Sequence, residues 1–533
     1  MLGPVLQREL IEFLRSRRAF VILGVYLAAL AAVLILSWPS GGRLELRAPI
    51  ARAIYDIFAR GQFALLLILT PVLATPSIAG ERERRTADLL FTSPLSSFTI
   101  AGGKALSALI YLLLLAISSL PFFSCCLFLG GVGEREIAAT FIFLFLAVIF
   151  AASLGLLASA HLHRSRSALA LCYAVLVPPA LVFIFANPFR SLVAAVLLGI
   201  PTAASAAAMF LFACRKLRRA PELSLSRGGE EKTQDAPGLI LSRRRFPDRL
   251  LLPAPSNEQF TAGARALLEK EIRYDGLGRD TLVMRILLQL TMLTSAPFFI
   301  AAIWCAALWI YTFYLLAVIM VIMPPLAAGA FTEEREGGTL DLLLTTPLTK
   351  AEVLIGKLVA NLRHFSAIMA LPMPFLLLFW LIMAGGAIAY SPADIFGWFK
   401  MTAGTLLVLA GAAALALLIA LVSSLVCRTT LRSMVASYLS LVIIYLAPLV
   451  AYLALTRLAD FDRQAVMWAG IFSPFFAASA LEADGAAAFL PPSAIGPRVL
   501  LYHLFFMAIS CTTLLGCLFQ GYDRYCRFRR EYD

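Results

Sequence analysis

The sequence predicts an all-α, polytopic membrane protein: about twelve transmembrane helices in two parallel six-helix repeats. Composition is the first reason. Of 533 residues, 61% are hydrophobic and only 14% charged, with a mean hydropathy of +0.86, a balance that would leave a soluble domain covered in exposed oil. The second reason is length patterning. Apolar runs of about 20 residues, enough to cross a bilayer, recur along the chain, and the alternating strands of a barrel are missing, which leaves helices to satisfy the backbone in hydrocarbon. The third is a repeated charged segment. Gly80-Glu81-Arg82-Glu83-Arg84-Arg85-Thr86-Ala87-Asp88-Leu89-Leu90 returns as Thr332-Glu333-Glu334-Arg335-Glu336-Gly337-Gly338-Thr339-Leu340-Asp341-Leu342-Leu343, each copy between apolar runs. Every charge at mid-bilayer costs roughly 2.5–3.5 kcal/mol, so both copies must face water.

The first six spans are expected near Ala19–Trp38, Gln62–Ala79, Ala105–Leu129, Ile137–Ala160, Ala168–Ala186 and Leu192–Ala213. The first run is too long for a signal peptide and lacks a small-residue cleavage site. In the second half, Ile286–Phe331 is uncharged and long enough for two spans with a tight outer turn. Further spans follow near Leu358–Met383, Met401–Val426, Met434–Leu455 and Val499–Phe519. Lys and Arg crowd the segments Arg15–Arg18, Glu81–Lys104 and His161–Arg166 and both flanks of the second half, which places the two termini in the cytoplasm. The outer segment Pro39–Gly61 also carries Arg43, Arg47, Arg52 and Arg60, against the trend.

This divides the chain into a first repeat over 1–214, a polar linker over 215–263 and a second repeat over 264–533. Between Arg215 and Arg249 the linker has ten basic and five acidic residues; it reads as a disordered tether attracted to anionic lipid. The net charge of +13 belongs to such flanks rather than to nucleic-acid binding. Of nine cysteines, Cys125, Cys172, Cys305, Cys511 and Cys517 lie in apolar runs, and Cys214, Cys427 and Cys526 beside basic flanks. They make no disulfide framework and fit a reducing side.

The repeat extends beyond the charged segment. At a constant offset of 253 (334 − 81), Pro71 pairs with Pro324, Pro94 with Pro347, Lys104 with Lys357 and Pro121 with Pro374. Asn187-Pro188-Phe189 resembles Ser473-Pro474-Phe475 at a larger offset, since the second half has longer outer loops. Leu6-Gln7-Arg8-Glu9-Leu10 echoes Leu268-Glu269-Lys270-Glu271-Ile272. With Leu6, Leu10, Phe13 and Leu14 on one face, this element suits a helix in the inner membrane interface, although a plain cytosolic helix fits the same pattern.

A solvated connector would need charge, but not the same order of Glu, Arg, Glu, Thr, Asp, paired Leu and Pro twice. Thr86 and Thr339, with Asp88 and Asp341, favour a turn or helix start. Leu89-Leu90 and Leu342-Leu343 would form an apolar anchor, and Pro94 and Pro347 would end the helix. Such an element suits docking to a soluble partner.

These residues resemble the permeases of ATP-binding-cassette transporters of the type-2 exporter class, whose charged loop after the second span follows the pattern E-R-E-x-G-T-L-(D/E)-x-L-L-x-(S/T)-P-L. The second copy is the nearer match; the first has Arg84, Arg85 and Ala87 where the family has small residues and Leu. The resemblance covers both halves and not the linker. It implies a fused pair of membrane domains in a cytoplasmic (inner) membrane, partnered by two copies of a soluble ATPase and by membrane lipid. It also implies coupling roles for Glu81, Arg82, Glu83, Thr86, Asp88 and Pro94, and for Glu334, Arg335, Glu336, Thr339, Asp341 and Pro347. The sequence has no G-x-x-x-x-G-K-(S/T) phosphate loop, so ATP and magnesium are expected on the partner and no cofactor on this chain.

Other chemistry finds little support. His161 and His163 are spaced to fall on different helical faces, and Cys125-Cys126 cannot jointly chelate one metal, so no metal site is expected. An intramembrane enzyme or an ATP-independent secondary carrier would need ionisable groups at depth, and Gln62, Gln289 and Arg363 sit near span ends. Pro71, Pro121, Pro324 and Pro374 are expected to bend helices beside the pathway. The substrate is not legible.

Overall fold

The computed structural model describes residues 4–15, 17–36, 48–83, 86, 95–128, 132–162, 164–186, 192–218, 271, 281–305, 307–346, 348–388, 392–457, 463–481 and 496–530. All regular structure among them is helical. The chain divides into two compact units, Met1–Thr233 with Leu453–Asp462, and Gln234–Tyr452 with Arg463–Asp533.

In the first unit the helices are α1 (Pro4–Leu14), α2 (Arg17–Leu36), α3 (Ala48–Ala74), α4 (Pro76–Glu83), α5 (Ser97–Ser118), α6 (Leu120–Phe128), α7 (Glu134–His161), α8 (Ser165–Ala186) and α9 (Leu192–Arg218). The second half continues with α10 (Thr281–Trp304), α11 (Leu308–Ala327), α12 (Thr332–Glu336), α13 (Leu340–Leu344), α14 (Lys350–Met369), α15 (Met373–Ile388) and α16 (Pro392–Val426). It ends with α17 (Thr430–Tyr445), α18 (Ala447–Arg457), α19 (Arg463–Gly470), α20 (Pro474–Ala480) and α21 (Gly496–Arg530).

Helices occupy every expected run. Among the described residues, eight are long and apolar enough to cross a membrane, or nine if the broken pair α14–α15 is one span; α2, α8 and α9 fill the other three runs. The chain is an all-α, multi-pass membrane protein. Several helices outrun the apolar windows. α3 begins at Ala48, so Asp56 and Arg60, expected in an outer loop, are helical, and Arg52 pairs with Glu136 of α7 at 2.8 Å. A polar turn continues a helix readily once a neighbour supplies its counter-charge, and no hydropathy window records that.

Aromatic residues fill the core of the first unit. Phe123 meets Phe58 edge-on at 4.8 Å and Tyr55 at 5.8 Å, and Phe63 lies 5.7 Å from Phe143. In the second unit α11 is buried along nearly its whole length. Tyr314 stacks on Phe298 of α10 at 4.9 Å, and Tyr445 of α17 donates to Ala412 O of α16.

Pro71 and Pro324 sit just before helix breaks, and Pro121 and Pro374 just after them. Pro71 lies in α3, and the helix stops at Thr75, whose N–H and hydroxyl both donate to Pro71 O (2.9 and 2.7 Å). Pro324 lies in α11, which ends with Ala328 N–H on Pro324 O at 2.8 Å. Pro121 opens α6 after the break at Ser119, and Pro374 opens α15 after a break that bends the pair by 46°. A proline lacks the N–H and its ring obstructs the carbonyl four residues back. Groups beside two of these breaks also receive donors from a neighbouring span. Gln62 of α3 reaches Ser119 Oγ at 2.6 Å and Ala116 O at 3.5 Å, and Tyr311 of α11 reaches Pro372 O at 2.6 Å.

Candidate functional site

Each charged repeat leaves its span through a proline-weakened turn that a serine from another helix steadies. In the first unit Ser159 Oγ of α7 accepts from Ile78 N–H at 3.0 Å and Ala79 N–H at 2.8 Å. Ser424 Oγ of α16 accepts from Phe331 N–H at 2.9 Å and Thr332 N–H at 3.2 Å in the second. Both serines are fully buried. A helix start has N–H groups with no partner in its own turn, and here a neighbouring helix supplies the acceptor. A tyrosine acts one turn earlier: Tyr173 of α8 donates to Ile68 O at 2.5 Å, and Tyr438 of α17 to Val321 O at 2.9 Å, each three residues before the proline.

The order Glu-Arg-Glu then follows from three different partners. Arg82 donates to Ala160 O at 3.1 Å, Leu162 O at 3.2 Å and Ser159 O at 3.5 Å, the last carbonyls of α7. Glu83 accepts from Ser165 N–H at 2.7 Å and Ser165 Oγ at 2.9 Å, the first residue of α8. A cation thus sits on the negative end of one helix dipole and an anion on the positive end of the next. The second unit matches this. Arg335 donates to Cys427 O at 2.6 Å and Leu425 O at 3.1 Å behind α16, while Glu336 accepts from Thr430 N–H at 3.1 Å and Thr430 Oγ1 at 2.6 Å at the head of α17.

The first glutamate of each trio turns the other way, to a buried lysine. Lys104 of α5 donates to Glu81 at 3.2 Å and to Glu9 of α1 at 2.8 Å. Lys357 of α14 pairs with Glu334 at 3.1 Å and Glu271 at 2.6 Å, donates to Ala330 O at 2.7 Å and lies 5.3 Å from the Phe331 ring centre. The second cluster is the deeper: Glu271 and Glu334 are 8% and 6% exposed, against 32% and 24% for Glu9 and Glu81. The threonines close the turn. Thr86 donates to the Glu81 carboxylate and its N–H to Glu81 O at 2.9 Å; Thr339 donates N–H and hydroxyl to Glu334 O at 2.8 and 3.3 Å. Thr339 therefore folds back on α12.

Glu81, Arg82, Glu83 and Thr86 thus form one cluster, and Glu334, Arg335, Glu336 and Thr339 another. Asp88, Pro94 and Pro347 lie outside the described residues; Asp341 is in α13, with its side chain also outside them. Beyond the trio the segment opens outward. Gly337 to Thr339 are exposed, Gly338 takes a left-handed φ of 67°, and in α13 Leu340 and Leu343 are buried while Leu342 is 68% exposed. The third span starts sharply after each motif: Ser96 caps α5 by accepting from Thr99 N–H at 3.1 Å, and Thr349 and Glu352 form a capping box on α14.

The sequence reading found the charged trio and missed the residues on the neighbouring helices that receive it. Ser159 and Ser424, Ser165 and Thr430, and Tyr173 and Tyr438 all pair at an offset of 265 (424 − 159), twelve more than the 253 of the motif. A single-offset comparison overlooks them. Residues 229–531, which include the second trio and its receiving helices, match the family model described as ABC-2 family transporter protein. None of the curated proteins matches the chain. The chain belongs to the ABC-2 transporter family and is an ABC transporter permease.

Proposed function

We propose that the chain is a fused pair of six-span permease repeats of an exporter, driven by two copies of a separate ATPase that grip the two charged segments from the cytoplasm. The observation that carries this is the attachment of each segment: Arg82–Glu83 and Arg335–Glu336 tie it to the facing ends of two membrane helices. A push on such a segment moves helix ends as a rigid body, which a slack connector could not do. The recurrence of the same bonds in both units supports a duplicated ancestry. In this reading the charged residues are the root of the lever, and the exposed surface around Leu342 is the handle. ATP and magnesium belong to the partner. The membrane is a cytoplasmic one, with both termini inside.

The test is retention of the partner. The tagged chain, extracted in mild detergent, brings down an ATPase that carries a phosphate loop. Glu83→Lys with Glu336→Lys puts a cation against the positive ends of α8 and α17. It lowers the retained ATPase about tenfold, or about 1.4 kcal/mol of binding, or abolishes its stimulation, with the chain still inserted. Retention at the wild-type level with normal stimulation refutes the proposal.

A further inference from the structure

Lys104 and Lys357 do more than pair with the charged trios: each is almost wholly buried and each joins three separate pieces of chain. In the first unit these are the span α5, the charged segment through Glu81 and the amino-terminal helix α1 through Glu9. α1 is pressed close to α5 there: a Cβ added at Gly103, beside the lysine, would stand 3.0 Å from Val5 Cβ and 3.3 Å from Leu6 N. Val5 and Leu6 are buried while Ile11 is 63% exposed and Leu14 and Arg8 are open as well. One face of α1 is therefore held against the bundle and another carries apolar and basic groups outward. In the second unit Lys357 makes the same link to Glu271, which stands where Glu9 stands in the repeated Glu-containing element.

We infer that Lys104 and Lys357 are positioning residues: each clamps the element preceding the first span of its repeat to the motor-driven segment, so that one stroke moves both. This rests on the reading of the segment as the site the ATPase drives. Geometry makes the clamp specific. The ammonium has two carboxylates from different elements within 3.2 Å and is itself only 3% exposed, so little water replaces a carboxylate that moves away. A hydrophobic contact would tolerate sliding by a few tenths of an ångström, whereas a paired ammonium in low dielectric holds its distance. Movement of Glu81 is thereby conveyed to Glu9 through Lys104 Nζ.

Hydrogen exchange on the full-length chain in nanodiscs, with its co-purified ATPase, tests this. Without nucleotide, Glu9→Gln leaves the Lys104–Glu81 pair in place and raises exchange over residues 4–14 by about tenfold. Lys104→Met does the same, and Lys104→Arg keeps most of the protection. Adding ATP, magnesium and vanadate changes exchange in both residues 4–14 and residues 76–86 of the wild type; in Glu9→Gln only residues 76–86 respond. Unchanged protection of residues 4–14 in Glu9→Gln, or an undiminished nucleotide response there, overturns the clamp. Failure of any ATPase to co-purify overturns instead the proposed function, and the nucleotide-free comparison still decides whether the clamp exists.

Discussion

Lys357 has Glu271 at 2.6 Å, Glu334 at 3.1 Å and a backbone carbonyl at 2.7 Å. Removing the ammonium would leave two carboxylates facing each other in a dry site. Breaking a buried pair costs about 3–5 kcal/mol, so Lys357→Met should lower the thermal unfolding midpoint strongly. Lys104→Met should cost less, about 1–3 kcal/mol, because water reaches Glu9 and Glu81 and takes over part of the hydrogen bonding. Equal losses in a thermal-shift comparison would contradict the deeper burial of the second cluster. Gly338 offers a second case. Its φ of 67° suits glycine, and nothing lies within 4 Å of an added Cβ, so Gly338→Ala pays only the left-handed penalty of about 1–2 kcal/mol. It should loosen the turn into α13, measurable as faster exchange over 337–344, without disturbing the spans. The trio was legible in the sequence because charge between apolar runs is conspicuous. Its partners were not, since a buried serine or a helix-end carbonyl leaves no mark in composition.

The helices show where pattern reading succeeds and stops. Lipid demands about 20 apolar residues, a signal strong enough to place a helix on every expected run. The four repeated prolines lie within four residues of a helix break, as a missing N–H favours in any fold. How a break is steadied needed the structure. Ser159 and Ser424 each accept two N–H bonds at the exit turn. Ser159→Ala and Ser424→Ala should each leave buried donors unpaired and cost about 1–3 kcal/mol. The loss should appear as increased exchange at 76–83 and 332–336, ahead of any global unfolding; exchange unchanged there would show that the serines do not hold the turn. The closeness of α3 and α7 adds a steric counterpart. A Cβ at Gly155 would stand 2.7 Å from Ala74 Cβ, with no flexible side chain to yield. Gly155→Ala should then displace the turn at Thr75 and cost about 1–3 kcal/mol in the unfolding midpoint.

For the molecule as a whole, the family places the chain in an ABC transporter, and the internal bonds explain why its charged segments are built as they are. Arginine and glutamate bind opposite helix ends, and a further glutamate binds a buried lysine. Sequence alone suggested that the charges themselves meet the motor. The structure bonds these charges to helix ends and lysines while Glu83 and Glu336 stay exposed, and it presents Leu342 outward as well, so the proposed contact extends a few residues along the chain. The most direct measurement is photo-crosslinking from single sites in the full-length chain in its native membrane. A photoreactive residue at Leu342 should capture a protein bearing a phosphate loop, whereas one at Trp304, 88% exposed in the expected outer turn, should capture none. An ATPase adduct from Trp304, or co-purifying ATPase with no adduct from Leu342, would contradict the account.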